Sequence, residues 1–404
     1  MIKKVPVGLL KPGMYIQDLS SDWMAHPFLR NQFMLKTEGE IRQIGAAGIH
    51  EVYINTAKGL DVSDAPTAAE VKQEVVQEML RIASEENTPV RTVGTSEEMR
   101  KARMVHSEAN QIIRNIMQDV RLGNQVQIEK VEPVVENITS SILRNAGAIL
   151  SLCRVKNKDN YTFFHSVSVC ALQVSFCRSI GMDKESIRQA GVGGLLHDIG
   201  KVKIPDEILN KPGRFTEDEF RVMQCHVVES RRILTETEGI SEIAIQVAAQ
   251  HHERHDGSGY PEGLKGDEIS QMGQMAAICD VYDAITSNRC YHKGMEPTEA
   301  LQKIFEWSKF HFNPVLVQHF MRSIGIYPVG SLVRLESGKL GVVTEQAEHN
   351  LLQPKVRVIY DSKKQSYLPP SDLDLAKPMG HGGADRIVNH ELPEKWNIEP
   401  LKFI

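Results

Sequence analysis

Five histidines and three aspartates in the middle of the chain fall at spacings that suit two transition metals sharing one carboxylate: His165, His197, Asp198, His226, His251, His252, Asp256 and Asp280. His197 and Asp198 are adjacent, so at a helix end their side chains diverge by about 100° and can reach different points of one site. An imidazole offers one lone pair, whereas a carboxylate has two oxygens and can bridge two cations; Asp198 is therefore the expected bridge. The His251-His252 pair repeats this arrangement after a helical stretch that turns Ile243, Val247 and Ala248 inward. Single ligands from separate helices, His165, His226 and Asp280, complete two coordination spheres of mixed nitrogen and oxygen donors. Such donors suit divalent iron or manganese first, with nickel or zinc as alternatives, and the lack of a cysteine ligand argues against a closed structural zinc site. Two such metals can activate a shared water and stabilise the attacking and departing oxygens at phosphorus. The matching reaction is phosphodiester hydrolysis, with Lys201, one helical turn past Asp198, placed to offset charge on a non-bridging phosphate oxygen. A lone histidine on an apolar face is more often a hydrogen-bonded core residue, so the ordered set carries the reading and no member of it does so alone.

The elements that must position these residues read as mainly α. Residues 1–58 form a small α/β module: Phe33 to Leu35 and Val52 to Ile54 read as strands, and Thr37 with Glu40 starts a short helix that Gly48 stops. Residues 59–130 read as a linker and helical connector. Thr67 and Glu70 cap one helix, and a second begins after Thr95 or Ser96, with Met99, Ala102, Val105, Ala109, Ile113, Ile116 and Val120 on one stripe. Two readings of that stripe stay open, packing within this chain and a homodimer seam. Residues 131–328 have helical periodicity nearly throughout and are read as an all-α domain holding every candidate ligand. Residues 329–376 alternate with period two and read as a small antiparallel β unit, and 377–404 as a poorly ordered tail.

At 404 residues, with 41% apolar and 25% charged residues, the composition is that of an average soluble chain able to bury a core of ordinary size. The net charge of −5 gives no case for polymeric nucleic acid but is compatible with a local basic pocket for one anionic ligand. No stretch approaches a secretory signal or the roughly 18 apolar residues of a membrane span, so a cytoplasmic chain with no membrane association is expected. The six cysteines form no C-x-x-C pair and read as small core residues in a reducing compartment.

With those residues in place, the chain resembles the HD-GYP family, a branch of the HD phosphohydrolases that hydrolyses the bacterial second messenger cyclic di-GMP. The resemblance runs from about Asn137 to Gly330 on Tyr161-Thr162 to His165-Ser166, His197-Asp198-Ile199-Gly200-Lys201, His251-His252-Glu253-Arg254, Asp256 to Pro261, and Asp280 to Thr286. A bare His-Asp pair indicates only the superfamily; the Gly-Tyr-Pro loop narrows it to this branch. The first module looks like the uncharacterised domain often found ahead of it. The resemblance implies an HD-type helical domain in which His165, His197, Asp198, His226, His251, His252 and Asp280 ligate metal, Asp198 bridges and Lys201 assists catalysis. It also implies that Arg289 contacts substrate phosphate; where a second basic residue usually follows, this chain has His292 and then Lys293. Three-metal members carry Glu four residues before the first ligand histidine, where this chain has Tyr161, a phenol whose pKa near 10 makes it a poor hard-metal ligand. Two metals are expected, with the linear dinucleotide pGpG accumulating and GMP forming more slowly.

Around the ligands, Asp256 is expected to make a turn and outer hydrogen bonds, and Gly257 and Gly259 to permit unusual backbone conformations. His255 reads as a surface loop residue. Glu253 and Arg254 either pair with each other or orient ligands. Tyr260, followed by Pro261, has three readings: stacking on a guanine, loop packing, or a surface for a diguanylate cyclase or other signalling partner. Two rival functions remain, a non-catalytic cyclic di-GMP receptor signalling through the N-terminal module, and an HD hydrolase for another cyclic dinucleotide or nucleotide.

Overall fold

The computed structural model describes residues 1–20, 32–85, 92–154, 161–211, 213–287, 294–347, 350–378 and 385–404. Arg289, His292 and Lys293 lie outside the described residues, as does the side chain of Tyr161.

The N-terminal module is a four-stranded antiparallel sheet, order β1-β4-β2-β3, built from β1 (Ile2–Pro6), β2 (Tyr15–Asp18), β3 (Phe33–Met34) and β4 (Glu51–Asn55). One short helix, α1 (Glu38–Ala46), packs on it and starts with the expected reciprocal cap between Thr37 and Glu40. Val5, Ile16, Leu35, Ile44, Val52 and Ile54 form a core belonging to this module alone.

Helix α2 (Ala68–Ser84) is capped by Thr67 and Glu70. Helix α3 (Thr95–Arg121) begins one residue earlier than expected, with Gly94 at its cap. Helix α4 (Ile128–Cys153) lies along α3 and has a non-helical residue, Asn145 (φ −163°, ψ 103°), breaking its course. The apolar stripe of α3 is spent inside the chain: Met99, Ala102, Ala109, Ile113, Ile116 and Val120 are buried in the same core as Val131, Val135 and Ile138 of α4.

That core continues through α5 (Tyr161–Ser179), α6 (Lys184–Leu196), α7 (Asp206–Leu209), α8 (Glu217–Thr235), α9 (Glu242–Gln250), α10 (Gln271–Thr286), α11 (Pro297–Trp307) and α12 (Pro314–Ile324). Helices α5 and α10 are central, and their sequences show why. Val167, Val169, Cys170, Ala171, Val174 and Phe176 in α5, and Met275 to Ile285 in α10, are buried around the whole circumference, as expected for helices apolar on every side. Helix α6 approaches its neighbours through glycine: a Cβ on Gly193 would lie 2.6 Å from Val247 Cβ in α9, and one on Gly194 would lie 3.0 Å from Cys170 Cα in α5.

The C-terminal sheet has the order β8-β7-β6-β5-β9, with β5 (Leu332–Leu335), β6 (Lys339–Glu345), β7 (Lys355–Asp361), β8 (Ser366–Asp374) and β9 (Ile387–His390), all antiparallel. The tail expected to be poorly ordered from residue 377 instead returns to the sheet: β9 pairs with β5, α13 (Pro393–Trp396) follows, and Ile398 is buried against Leu332, Leu340 and Ile359. Cys153, Cys170, Cys177 and Cys279 are buried as expected, whereas Cys225, on the outer face of α8, is exposed.

Candidate metal centre

Five elements converge on one buried point. His165 comes from α5, His197 and Asp198 from the residues just after α6, His226 from α8, His251 and His252 from the end of α9, and Asp280 from α10. All seven side chains are buried. Each adjacent pair sits where a helix stops, so its two side chains leave the axis in different directions and reach the same cleft.

Four imidazoles are oriented from behind. Asp283 Oδ2 lies 2.6 Å from His165 Nδ1, and the carbonyls of Gly194, Met223 and Ala248 accept from Nδ1 of His197, His226 and His251 at 2.8, 2.6 and 2.8 Å. For His226 and His251, giving Nδ1–H to a carbonyl leaves Nε2 as the inward lone pair, the arrangement that sets tautomer and aim in metal-binding histidines. Asp283, within the Asp280 to Thr286 motif, has no role assigned by the sequence; its spacing of three from Asp280 on a helix puts both on one face without revealing that its partner is His165.

The carboxylates lie between the imidazoles. Asp198 Oδ2 is 3.2 Å from His197 Nε2 and 3.5 Å from His165 Nε2, while Oδ1 is 3.4 Å from His226 Nε2 and 3.8 Å from His251 Nε2. Asp280 Oδ1 lies 3.0 Å from His165 Nε2, and its Oδ2 is 3.8 Å from His252 Nδ1. Three triads, His226-His251-His252, His165-His197-Asp280 and His197-Asp198-His251, each present ligand atoms within 4.8 Å of one another. Asp198 Oδ1, Asp280 Oδ2, His226 Nε2 and His251 Nε2 are buried with no hydrogen-bond partner among the described residues. Lone pairs facing one another without protons in a dry site are costly. A divalent cation relieves that cost, and this donor set of imidazole and carboxylate fits one.

The electrostatics agree. Burial pushes the His226 imidazole down to about 4 and those of His251 and His252 well below the ordinary histidine value, so all three are neutral at neutral pH. Burial alone would raise Asp198 and Asp280, but the charge of His197 and Lys201 on the first, and the His165 hydrogen bond with the nearby imidazoles on the second, hold both well below the carboxylate range. For His197, burial is outweighed by the Asp198 carboxylate, which draws positive charge towards the pair and raises its pKa. Lys201 Nζ stands 2.5 Å from Asp198 Oδ2 at the partly open side of the centre, touching the carboxylate itself and not only the space beside it.

The Gly-Tyr-Pro loop forms the rim. The Tyr260 ring stacks on His252 with centroids 4.7 Å apart and planes at 24°, and its N–H donates to the His252 carbonyl at 3.1 Å. The Glu253 carboxylate accepts the backbone N–H groups of Glu262 (2.8 Å) and Leu264 (3.0 Å), so it ties the loop back to the His251-His252 pair, while the Arg254 guanidinium lies over the Phe312 ring. Asp256 makes the expected turn, accepting from Ser258 N and Oγ at 2.9 and 2.6 Å. Gly257 has φ +84°; Gly259 is required for a different reason, since a Cβ there would lie 2.3 Å from Arg254 N. His255 is half-buried and joined to a neighbouring segment by its backbone, its N–H donating to the His311 carbonyl at 2.9 Å.

Comparison with known proteins matches this architecture. The family description "Domain of unknown function (DUF3391)" covers residues 2–131, and "HD domain" covers residues 149–316. The chain is 40% identical over 402 residues to the cyclic di-GMP phosphodiesterase PA4108 of Pseudomonas aeruginosa, covering 99% of this chain and 95% of that protein. It belongs to the HD-GYP family, with a DUF3391 domain ahead of the HD domain. Other relatives match over shorter stretches: a cyclic di-GMP phosphodiesterase of Thermotoga maritima is 37% identical over 41% of this chain and 45% of its own length, and the 3'3'-cGAMP-specific phosphodiesterase 1 of Vibrio cholerae is 39% identical over 38% of this chain and 36% of its own. A solved HD-GYP-type protein from Bdellovibrio bacteriovorus, Bd1817, aligns with 79% of this chain and 98% of its own at 15% identity and a TM-score of 0.47. Among the described residues, no helix is long and apolar enough to cross a membrane.

Proposed function

We propose that this HD-GYP chain is a phosphodiesterase that hydrolyses cyclic di-GMP to pGpG and, more slowly, to GMP. One observation carries the reading. The two oxygens of buried Asp198 face two different groups of imidazoles, one holding His197 and His165, the other His226 and His251, and Oδ1, His226 Nε2 and His251 Nε2 are left unpaired. Similarity to PA4108 across both domains supports the substrate class.

The ligands are His165, His197, Asp198, His226, His251, His252 and Asp280, with Asp198 as the bridge. Two divalent ions held there, iron or manganese, supply Lewis acidity for attack of water at phosphorus. The backbone carbonyls and Asp283 keep each imidazole aimed. Lys201 neutralises Asp198 Oδ2 and, being partly exposed at the cleft edge, would offer its ammonium to an anionic substrate there. Arg289, with His292 or Lys293, contacts the phosphates, and Tyr260 closes the rim beside His252.

The test is anaerobic purification with metal analysis and separation of products from cyclic di-GMP and, in parallel, 3'3'-cGAMP. About two ions per chain are expected, with pGpG as the main early product, and Asp198→Ala is expected to lose metal and activity together because the bridge serves both sites. Undiminished hydrolysis by metal-free protein overturns the mechanism, and preference for 3'3'-cGAMP overturns the substrate.

A further inference from the structure

The loop of the N-terminal module between α1 and β4 reaches across to the rim of the metal centre. His50 Nε2 lies 2.7 Å from Asp256 Oδ2, and the His50 ring stacks on Phe310 with centroids 4.3 Å apart and planes at 20°. Two residues earlier, the Gly48 carbonyl accepts from His311 Nε2 at 3.2 Å. The backbone there is pressed against the rim loop, for a Cβ on Gly48 would sit 2.3 Å from Ser258 Cβ.

Asp256 thus uses its two oxygens for two purposes. Oδ1 closes the turn onto Ser258, and Oδ2 receives the module's imidazole. Two residues beyond Ser258 comes Tyr260, stacked on the ligand His252. The loop is therefore pinned at both ends, by Glu253 and His252 on the metal side and by His50 and Gly48 on the module side.

The outer pin joins parts of the chain that are 206 residues apart in sequence. The loop's own hydrogen bonds do not require it, since Asp256 Oδ1 already satisfies the turn. What the contact adds is a fixed position of the turn relative to the N-terminal module, and Tyr260 inherits that position.

We propose that His50 is a positioning residue for the reaction: acting from the DUF3391 domain through Asp256, it holds the Gly-Tyr-Pro loop so that Tyr260 stays over His252. This rests on the phosphodiesterase reading for its catalytic consequence, but not for its structural one.

The experiment uses the full-length, metal-loaded protein in four forms: wild type, His50→Ala, His50→Gln and Asp256→Ala, with the double variant His50→Ala/Asp256→Ala. Asp256→Asn replaces Asp256→Ala if that form folds poorly. Amide hydrogen exchange over residues 257–264, measured without substrate, is expected to be several-fold faster in His50→Ala and restored in His50→Gln, whose amide can still donate to Asp256. With cyclic di-GMP, kcat/KM in His50→Ala is expected to fall roughly tenfold, as for loss of one charge-assisted hydrogen bond, at unchanged metal content. The double variant is expected to lose no more than Asp256→Ala alone, because both substitutions break the same link. Wild-type exchange rates in His50→Ala, or losses that multiply in the double variant, overturn the proposal. If the wild type leaves cyclic di-GMP intact, the substrate reading fails while the exchange measurement still decides the role of His50.

Discussion

At Asp198 a single buried carboxylate faces four imidazoles and one ammonium, and the balance among them decides what each can do. The imidazoles have no freedom to turn away, because three backbone carbonyls and Asp283 hold their far nitrogens. Lys201 is different. Its stem leaves the short 3-10 turn Ile199–Lys203, its side chain is 17% exposed, and nothing but Asp198 fixes its ammonium among the contacts seen. Removing it should therefore leave the ligand cage standing while taking away the mobile positive charge. Lys201→Ala is expected to retain its metal ions and to lose about 100-fold or more in kcat, the scale of deleting one preorganised donor to a developing oxyanion. Metal analysis beside steady-state kinetics checks this; a parallel loss of metal would make Lys201 a structural partner of the bridge instead.

The helices bring the candidate donors together by ending at the right distance from one another, and that distance is set by small residues. Gly193 allows α6 to lie against Ala244 and Val247 of α9, so the His197-Asp198 pair at the end of one helix meets His251-His252 at the end of the other. Gly193→Ala, which puts a methyl 2.6 Å from Val247 Cβ and 2.9 Å from the Ala244 carbonyl oxygen, must push the two ends apart. The expected result is a loss of roughly 1–3 kcal/mol in stability from overpacking, together with reduced metal occupancy, read by denaturant titration and metal analysis. The candidate donors were legible in the sequence because such side chains have few chemical substitutes and here occur as adjacent pairs at helix ends, and the structure brings all seven to one buried point. Asp283 was not, since nothing in its local pattern says that its partner is His165, 118 residues away. The stripe of α3 was visible, but only its packing on α4 decides between core and seam. Strand β8 contains Pro369 and Pro370, which argue against a strand, and is tolerated because it is an edge of its sheet. Four-residue β9 carries no alternation strong enough to be seen and exists because β5 offers it an edge.

At the scale of the whole molecule, the DUF3391 domain is seated on the HD domain by a buried charged cluster. Glu306 of α11 accepts from Tyr53 Oη at 2.6 Å and lies 2.9 Å from Lys4 Nζ, which also meets Glu51 at 2.6 Å; Lys303 stands 3.8 Å from the other Glu306 oxygen. Burial opposes the charges on both partners, yet Lys303 and Lys4 hold Glu306 below the usual carboxylate range, and Glu306 with Glu51 holds Lys4 above the usual lysine range. A carboxylate with a depressed pKa contributes stability above its unfolded value of 4.5 and loses it as pH falls through the folded one. A lysine with a raised pKa contributes below its unfolded value of 10.5 and loses it as pH rises through the folded one. The seat is thus firm between these limits and loosens first in acid. Glu306→Gln keeps the shape but leaves Lys4 with Glu51 alone, and is expected to cost about 3 kcal/mol at pH 7, the lower end for breaking a buried pair. The gap between wild type and variant should shrink steadily as pH is lowered below 4.5, because protonation turns the wild-type Glu306 into a neutral group as well. Denaturant titrations of both proteins across that range check the sign: a gap that stays constant or widens in acid would mean that Glu306 supports the seat by packing and hydrogen bonding, not by its charge.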